Sequence, residues 1–432
     1  MTLPISSQIW HQNEITVFSH DDNKSVRDRV ATFLQEYLLL WWNCERSIPQ
    51  FTQTYTTEQQ KKLDAELDQT VNRLLQDLKH IPDAPRARDE WLEQHQNDLM
   101  LFAEGAFLLE PAHLAFIEQS GMVPALKQFA IMAREFDASI SAEDIYQAGR
   151  NVMTANFIQV LLDIPVEVTP SIFAYSMLYP YTDNYLDDPA ISSATKLAFN
   201  QRFRERIEGK SVLLANNYER TIDRLIGQIE SQWNRADYPQ VYESLLAIHT
   251  AQTHSLRLVD AQASPFELDV LGISFEKGGT SVLADGYLVA GNLSLEQARV
   301  LFGFGAFTQL VDDLEDLFTD QREGRQSVFS MAVARWPLDR ITNQFIHFGK
   351  AVLSNLPVFP AACVPLMSDL TNRCIDPVLI DRIALAGKAY GKDYLKSMQC
   401  HIPFSYTAIE RQRKRFKRQN INLSLLLDTF FL

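Results

Sequence analysis

From Leu63 onward, Leu67, Val71, Leu74, Leu75 and Leu78 recur at three- and four-residue steps. That is the period of an amphipathic helix, and Thr57 stands where its N-cap belongs. The segment His80 to Arg88 holds two prolines and reads as a linker, after which helical patterns resume near Glu90 and run to the end. Strand-like alternation between tight turns is almost absent. There are only 16 glycines, few Asn-Gly or Asp-Gly pairs and no hairpin signal. No repeat of fixed period supports a solenoid. The expectation is an all-α protein. With 432 residues, 46% of them hydrophobic, the chain can fill one large core or two smaller ones.

Prolines punctuate the second half. Pro189 follows Asp188, and Leu356-Pro357 and Phe359-Pro360 mark a connection. Asp376-Pro377 reads as an N-cap with proline at the first helical position. Toward the end, RQRKRFKRQ (Arg411 to Gln419) is a basic run and LSLLLDTFFL follows it. A solvated charged helix ahead of a docking segment is the plain reading. A basic flap over an anionic substrate is the sharper one, and an amphipathic membrane contact a third.

Several function classes drop out. Forty basic against 54 acidic residues give a net charge of −14, which argues against a nucleic-acid binder. Anionic substrates stay open, because a metal ion inverts local charge. Cys44, Cys363, Cys374 and Cys400 lie far apart with no CxxC pair, so neither a zinc module nor a disulfide framework is expected. No apolar run approaches the roughly 18 residues that span a bilayer, so no transmembrane segment is expected. The N-terminus lacks a basic n-region and an apolar h-region, and the expected compartment is the cytoplasm. There is no P-loop, dinucleotide fingerprint, GxSxG or HExxH. His249 and His254 are five apart, the wrong step for one helix face, and read as structural.

Chemistry concentrates in two acidic clusters. In YPYTDNYLDDP, Asp183 and Asp187 are four apart and share a helix face. Asp188 sits beside them, and Pro189 ends the helix. In QLVDDLEDLFTDQREGR, Asp312, Asp316 and Asp320 stand at i, i+4 and i+8, flanked by Asp313 and Glu315, with Gly324 as a helix end. Both clusters fall near helix C-termini. The helix dipole is negative there, and like charges at i,i+4 repel by roughly 0.2–0.5 kcal/mol per pair. Either cluster alone reads as a solvated acidic face. Both follow strongly apolar stretches, SIFAYSMLYPY and LFGFGAFTQLV. Acids at the mouth of an aromatic-walled cavity suit a greasy molecule with a charged head. Mg²⁺ is the counter-ion that joins carboxylates to phosphate oxygens.

These motifs resemble those of the class I isoprenoid synthases: terpene cyclases, squalene and phytoene synthases and trans-polyprenyl synthases. DNYLDD is similar to the first aspartate-rich motif. QLVDDLEDLFTDQREGR is similar to the second, combining a DDxxD element with the Gln before and Gly-Arg after seen in squalene and phytoene synthases. Its spacing also matches the terpene cyclases' Asn-Ser-Glu metal triad. The resemblance spans about Ala125 to Tyr394. It implies a class I helical bundle around a central apolar cavity over residues 111–432, with residues 1–110 as an N-terminal helical extension. That extension is compatible with packing beside the bundle, capping the cavity or forming a homodimer.

The resemblance further implies that Asp183 and Asp187 bind Mg²⁺ from one wall and Asp312, Asp316 and Asp320 from the other. More than one ion is implied, with Mn²⁺ able to substitute. Asp188 and Asp313 are second choices as metal ligands. FEKGGTSVLADGYLVAG resembles the polyprenyl-synthase segment whose Lys touches the diphosphate, which assigns that role to Lys277. Gly278 and Gly279 would let backbone approach the anion. Arg325 is a second diphosphate residue, since Arg presents a fork matched to phosphate; Arg257 and Arg150 are weaker ones. Phe173, Tyr175, Tyr179, Phe304 and Phe307 are candidates to stabilise a carbocation. Tyr179, one turn before Asp183, points inward if Pro180 does not kink its helix.

A chain-elongating synthase carries an Arg-Arg pair shortly after its first motif. Here PAISSATKLAFNQRFRER has none. The expected function is a Mg²⁺-dependent terpene synthase, a lyase that ionises a fifteen- or twenty-carbon (or longer) prenyl diphosphate and cyclises the cation. The alternatives are a head-to-head prenyltransferase of squalene or phytoene synthase type and a non-catalytic helical scaffold.

Overall fold

The computed structural model describes residues 25–82, 84–187, 190–259, 264 and 266–418. Among them there is helix and no strand, as the periodicity requires. Helix α1 (Val26–Asn43) is followed by α2 (Thr57–Asp77), α3 (Pro85–Phe107) and α4 (Pro111–Gln119). Then come α5 (Met122–Phe136), α6 (Ala142–Leu161), α7 (Pro170–Asp187), α8 (Ser193–Ile207), α9 (Asn217–Gln232) and α10 (Pro239–Ser255). The second half holds α11 (Val270–Ala290), α12 (Leu295–Glu315), α13 (Leu317–Glu323), α14 (Val328–Val333) and α15 (Asp339–Leu353). It closes with α16 (Val364–Leu385), α17 (Lys392–Gln399) and α18 (Tyr406–Arg418).

The centre is α11. Almost every residue from Val270 to Val289 is buried, the mark of a helix enclosed on all sides. It packs against α12, α10, α6, α1 and α7. The glycines of the KGG segment explain the tightest of these contacts. A Cβ on Gly278 would strike the Gly305 carbonyl oxygen, and a Cβ on Gly305 would strike the Gly278 carbonyl oxygen. A Cβ on Gly279 would enter the Phe302 ring. These glycines therefore let α11 and α12 touch backbone to backbone, which corrects the expectation that they admit an anion. Lys277 correspondingly lies mid-helix.

Within residues 1–110, α1 belongs to this same core. Phe33, Tyr37 and Trp41 are buried. Tyr37 donates to the Arg299 carbonyl at 3.0 Å, Arg29 Nη1 donates to the Tyr287 hydroxyl at 3.0 Å and Gln344 donates to the Trp41 carbonyl at 2.7 Å. Helices α2 and α3 form a hairpin beside the core. The α2 N-cap is Thr56, one residue earlier than expected, in a capping box with Gln59.

The basic run is α18, docked on α2. Ser405 N and Oγ donate to Asp64 at 2.9 and 2.6 Å, and Arg411 pairs with Asp68 at 2.7 Å. Arg413 pairs with Asp381 at 2.6 Å and Lys414 with Glu410 at 2.6 Å. The run is thus a docked, ion-paired helix and not the solvated one expected. LSLLLDTFFL lies outside the described residues.

Asp376-Pro377 does not start a helix, which corrects that expectation. α16 runs through it, with its own early proline at Pro365. The lost backbone bond at Pro377 coincides with a polar anchor. Buried Asp376 accepts from Thr52 N at 2.9 Å and Thr52 Oγ1 at 3.0 Å and meets Lys350 Nζ at 3.3 Å. All four cysteines are half-buried free thiols. Among the described residues no helix is long and apolar enough to cross a membrane.

Candidate functional site

Lys277, Asp312, Asp313, Asp316, Asp320 and Arg325 line one cavity of about 180 Å³, together with Gln309, Ser274 and Ser327. The acids do not sit on one continuous helix. α12 ends at Glu315 and α13 begins at Leu317, with Asp316 at the joint. Helical hydrogen bonding still crosses it: Asp316 N donates to Asp312 O at 2.9 Å and Asp320 N to Asp316 O at 2.8 Å. The four-residue spacing therefore keeps its meaning, and all three acids reach the same space. α13 stops at Gly324 with φ 73°, the left-handed end that its position suggested.

Cations reach the cluster from three sides. Arg150 on α6 donates to Asp312 Oδ1 at 2.6 Å, Arg382 pairs with Glu315 at 2.9 Å, and Lys277 lies close enough to Asp313 to lower its pKa slightly. Arg325 pairs with Glu323 at 3.3 Å. Asp313 is held differently. It is buried, and accepts from Gln309 at 2.9 Å and Ser274 at 3.1 Å. Burial raises its pKa to about 7 against these bonds. Burial and the charge of Asp316 raise Asp320 to about 6. Burial and Asp312 raise Asp316 as well. The cluster is short of positive charge.

A pH dependence follows. A carboxyl whose folded pKa exceeds its unfolded value binds more protons when folded. Its stabilisation is full below the unfolded value near 4 and is lost as pH rises through the folded value. With Asp320 near 6 and Asp313 near 7, the melting temperature in metal-free buffer is expected to fall between pH 5 and pH 8. Asp313→Asn should flatten that slope in the same thermal scans. An equal slope in the variant would show that Asp313 is not a source of it.

Helix α7, whose C-terminal end carries Asp183 and Asp187, reaches this cavity with one described residue. Leu186 lines the cavity wall. The side chains of Asp183 and Asp187, and Asp188 altogether, lie outside the described residues. Tyr179 lines a second, apolar cavity of about 30 Å³ with Tyr175, Leu178, Phe203, Ile226 and His249. Gln252 borders both cavities. α7 continues through Pro180, and the Tyr179 hydroxyl meets Ser281 Oγ on α11. Tyr175 donates to the Ser281 carbonyl at 3.3 Å.

Other candidates fall elsewhere. Phe173 packs on Phe129 and Phe136, Phe304 on Phe157 and Phe307 on Phe345. All three are core residues, so the cavity aromatics are Tyr175, Tyr179 and Phe203. Arg257 is exposed on the 3-10 turn Leu256–Val259, and does not line the cavity. His254 pairs with Glu276 at 2.8 Å, in keeping with a structural role.

Two cavity residues, and one buried acid outside both cavity linings, carry no signal in the sequence. Ser274 and Gln252 carry no local motif. Asp285, on the α11 face that also holds Lys277 and Ser281, is fully buried. Asn151 donates to its Oδ1 at 2.9 Å, and Oδ2 has no partner among the described residues. Burial drives its pKa far above the usual carboxylate range.

The donors at the acidic cavity are carboxylate oxygens, the chemistry of Mg²⁺ rather than of a soft metal. Among the described residues no three acid, His or Cys side chains already converge on one point, and Arg150 holds Asp312. No family model, curated protein or solved structure matches the chain.

Proposed function

We propose that this chain is a class I terpene synthase-type enzyme, which ionises a prenyl diphosphate and cyclises the resulting carbocation. The observation that carries the reading is one juxtaposition. Asp312, Asp316, Asp320, Lys277 and Arg325 share a polar cavity that adjoins, across Gln252, an apolar cavity walled by Tyr175 and Tyr179.

Asp312, Asp316 and Asp320 would hold Mg²⁺, with Asp183 and Asp187 as the partners on α7. Bound Mg²⁺ supplies positive charge to a diphosphate leaving group. Lys277 and Arg325 bind the diphosphate oxygens through charge-assisted hydrogen bonds. Arg150, bonded to Asp312, would turn from that carboxylate to the anion. The rings of Tyr175 and Tyr179 face the cation, worth about 2 kcal/mol or more when desolvated, and the apolar wall keeps water away. Neither cavity reaches the roughly 300–1,000 Å³ of a small-molecule site. A prenyl chain therefore enters as Gln252 and its neighbours part and the two spaces join.

The second reading is a non-catalytic isoprenoid-binding protein. The Arg150–Asp312 pair favours it, because it neutralises an acid without a metal. Two measurements decide. Purified protein with Mg²⁺ is expected to release diphosphate from ten- to twenty-five-carbon prenyl diphosphates. A hydrocarbon of the substrate's carbon count marks a cyclase or lyase, and a doubled count marks head-to-head joining. Mg²⁺ and diphosphate together should stabilise the fold by about 2.7 kcal/mol at a hundredfold excess over Kd. No release and no shift in melting temperature would sink the enzyme reading.

A further inference from the structure

We infer that His249 is the base that ends the reaction, accepting the proton lost by the carbocation at its Nδ1 atom. This rests on the function proposed above.

His249 projects from α10 into the wall of the apolar cavity, beside Tyr175, Phe203, Ile226 and Leu245. It is 5% exposed. Its Nε2 lies 3.1 Å from the Asn200 carbonyl oxygen. A carbonyl only accepts, so Nε2 carries the proton and the neutral ring leaves Nδ1 as a bare lone pair. That Nδ1 is buried and has no hydrogen-bond partner among the described residues. Burial holds the ring pKa down to about 4, so the neutral tautomer prevails at pH 7. Buried polar atoms are nearly always paired, and an orphan calls for an explanation. A hydrocarbon chain offers a lone pair no hydrogen-bond donor until it becomes a cation, whose neighbouring C–H bonds are acidic.

The step balances without a further reactant. A C–H bond next to the cationic carbon breaks, and its electron pair becomes the new carbon–carbon double bond. The proton goes to Nδ1. The imidazolium is disfavoured in these surroundings and passes its proton to water as the product leaves. No local motif marks this role, since the five-residue step to His254 reads as two unrelated side chains. His249 reaches the cavity because α10 packs against both α8 and α11.

The test compares wild type with His249→Phe, which keeps a flat ring and removes the lone pair. Diphosphate release and hydrocarbon products are read together. The principal wild-type alkene should fall roughly 10²-fold per diphosphate released, replaced by alkenes from other proton losses or by alcohols from water capture. The same product profile from the variant, with diphosphate still released, would overturn the inference and leave the proposed function standing. No diphosphate release by wild type would remove both. A measurement on wild type serves if the variant does not fold. Protein with ¹⁵N-labelled histidine is mixed with Mg²⁺, diphosphate and a prenyl ammonium that mimics the cation. Its N–H should donate to Nδ1 and move that nitrogen's resonance. Binding without such a shift would also overturn the inference.

Discussion

Asp316→Asn is expected to lower diphosphate release about 10²–10³-fold, the loss typical of removing one group that stabilises developing charge, while the melting temperature holds or rises. Asp316 stands at the α12–α13 joint, where the backbone bonds from Asp316 N and to Asp316 O carry the turn. Asparagine leaves those bonds intact. It removes a charge that burial and Asp312 already disfavour, so folding loses nothing. Activity alone should fall, because asparagine is a poor substitute for a carboxylate toward a hard cation. Paired rate and melting measurements check this. A variant with wild-type turnover would show that this carboxylate has no part in the chemistry. A variant that is only more stable, in a wild type without turnover, would fit the binding-protein reading.

The largest stability effect is expected at Gly305. Gly305→Val should cost about 3 kcal/mol or more, the upper range for overpacking. The obstacle is the Gly278 carbonyl, part of the facing helix, so no rotamer change relieves it. Separating α11 from α12 would also loosen the walls that hold Lys277, Asp313 and Ser274. Gly227 in α9 is the control. A Cβ there meets nothing within 4 Å, and Gly227→Ala should stabilise by about 0.8–1 kcal/mol through helix propensity. Urea denaturation of both variants measures the contrast. Equal effects at the two sites would mean that α11 and α12 can part without cost.

What the sequence made legible was what local spacing encodes. The period of Leu67, Val71 and Leu74 is a helix whatever it packs against. The step from Asp312 to Asp316 to Asp320 holds one face through a broken helix because two backbone bonds span the joint. The misread features depend on distant partners. Gly278 and Gly279 looked like an anion site because their partners, Gly305 and Phe302, lie a helix away. Asp376-Pro377 looked like a cap because Thr52, more than 300 residues earlier, holds the Asp376 side chain. The basic run looked unpaired because Asp64 and Asp68 sit on α2. His249 and Gln252 joined the site only through packing that no short motif records.

The place of α1 in the core has a consequence during synthesis. Arg29 bonds Tyr287 across 258 residues of chain. At about 5–20 residues per second, the nascent chain carries α1 for roughly 13–50 s before that partner leaves the ribosome. Throughout that interval Phe33, Tyr37 and Trp41 have no α11 or α12 to cover them. Helix α1 is thus made before the helices that cover it and buried only after them, and its aromatic stripe stays open while the intervening chain is made.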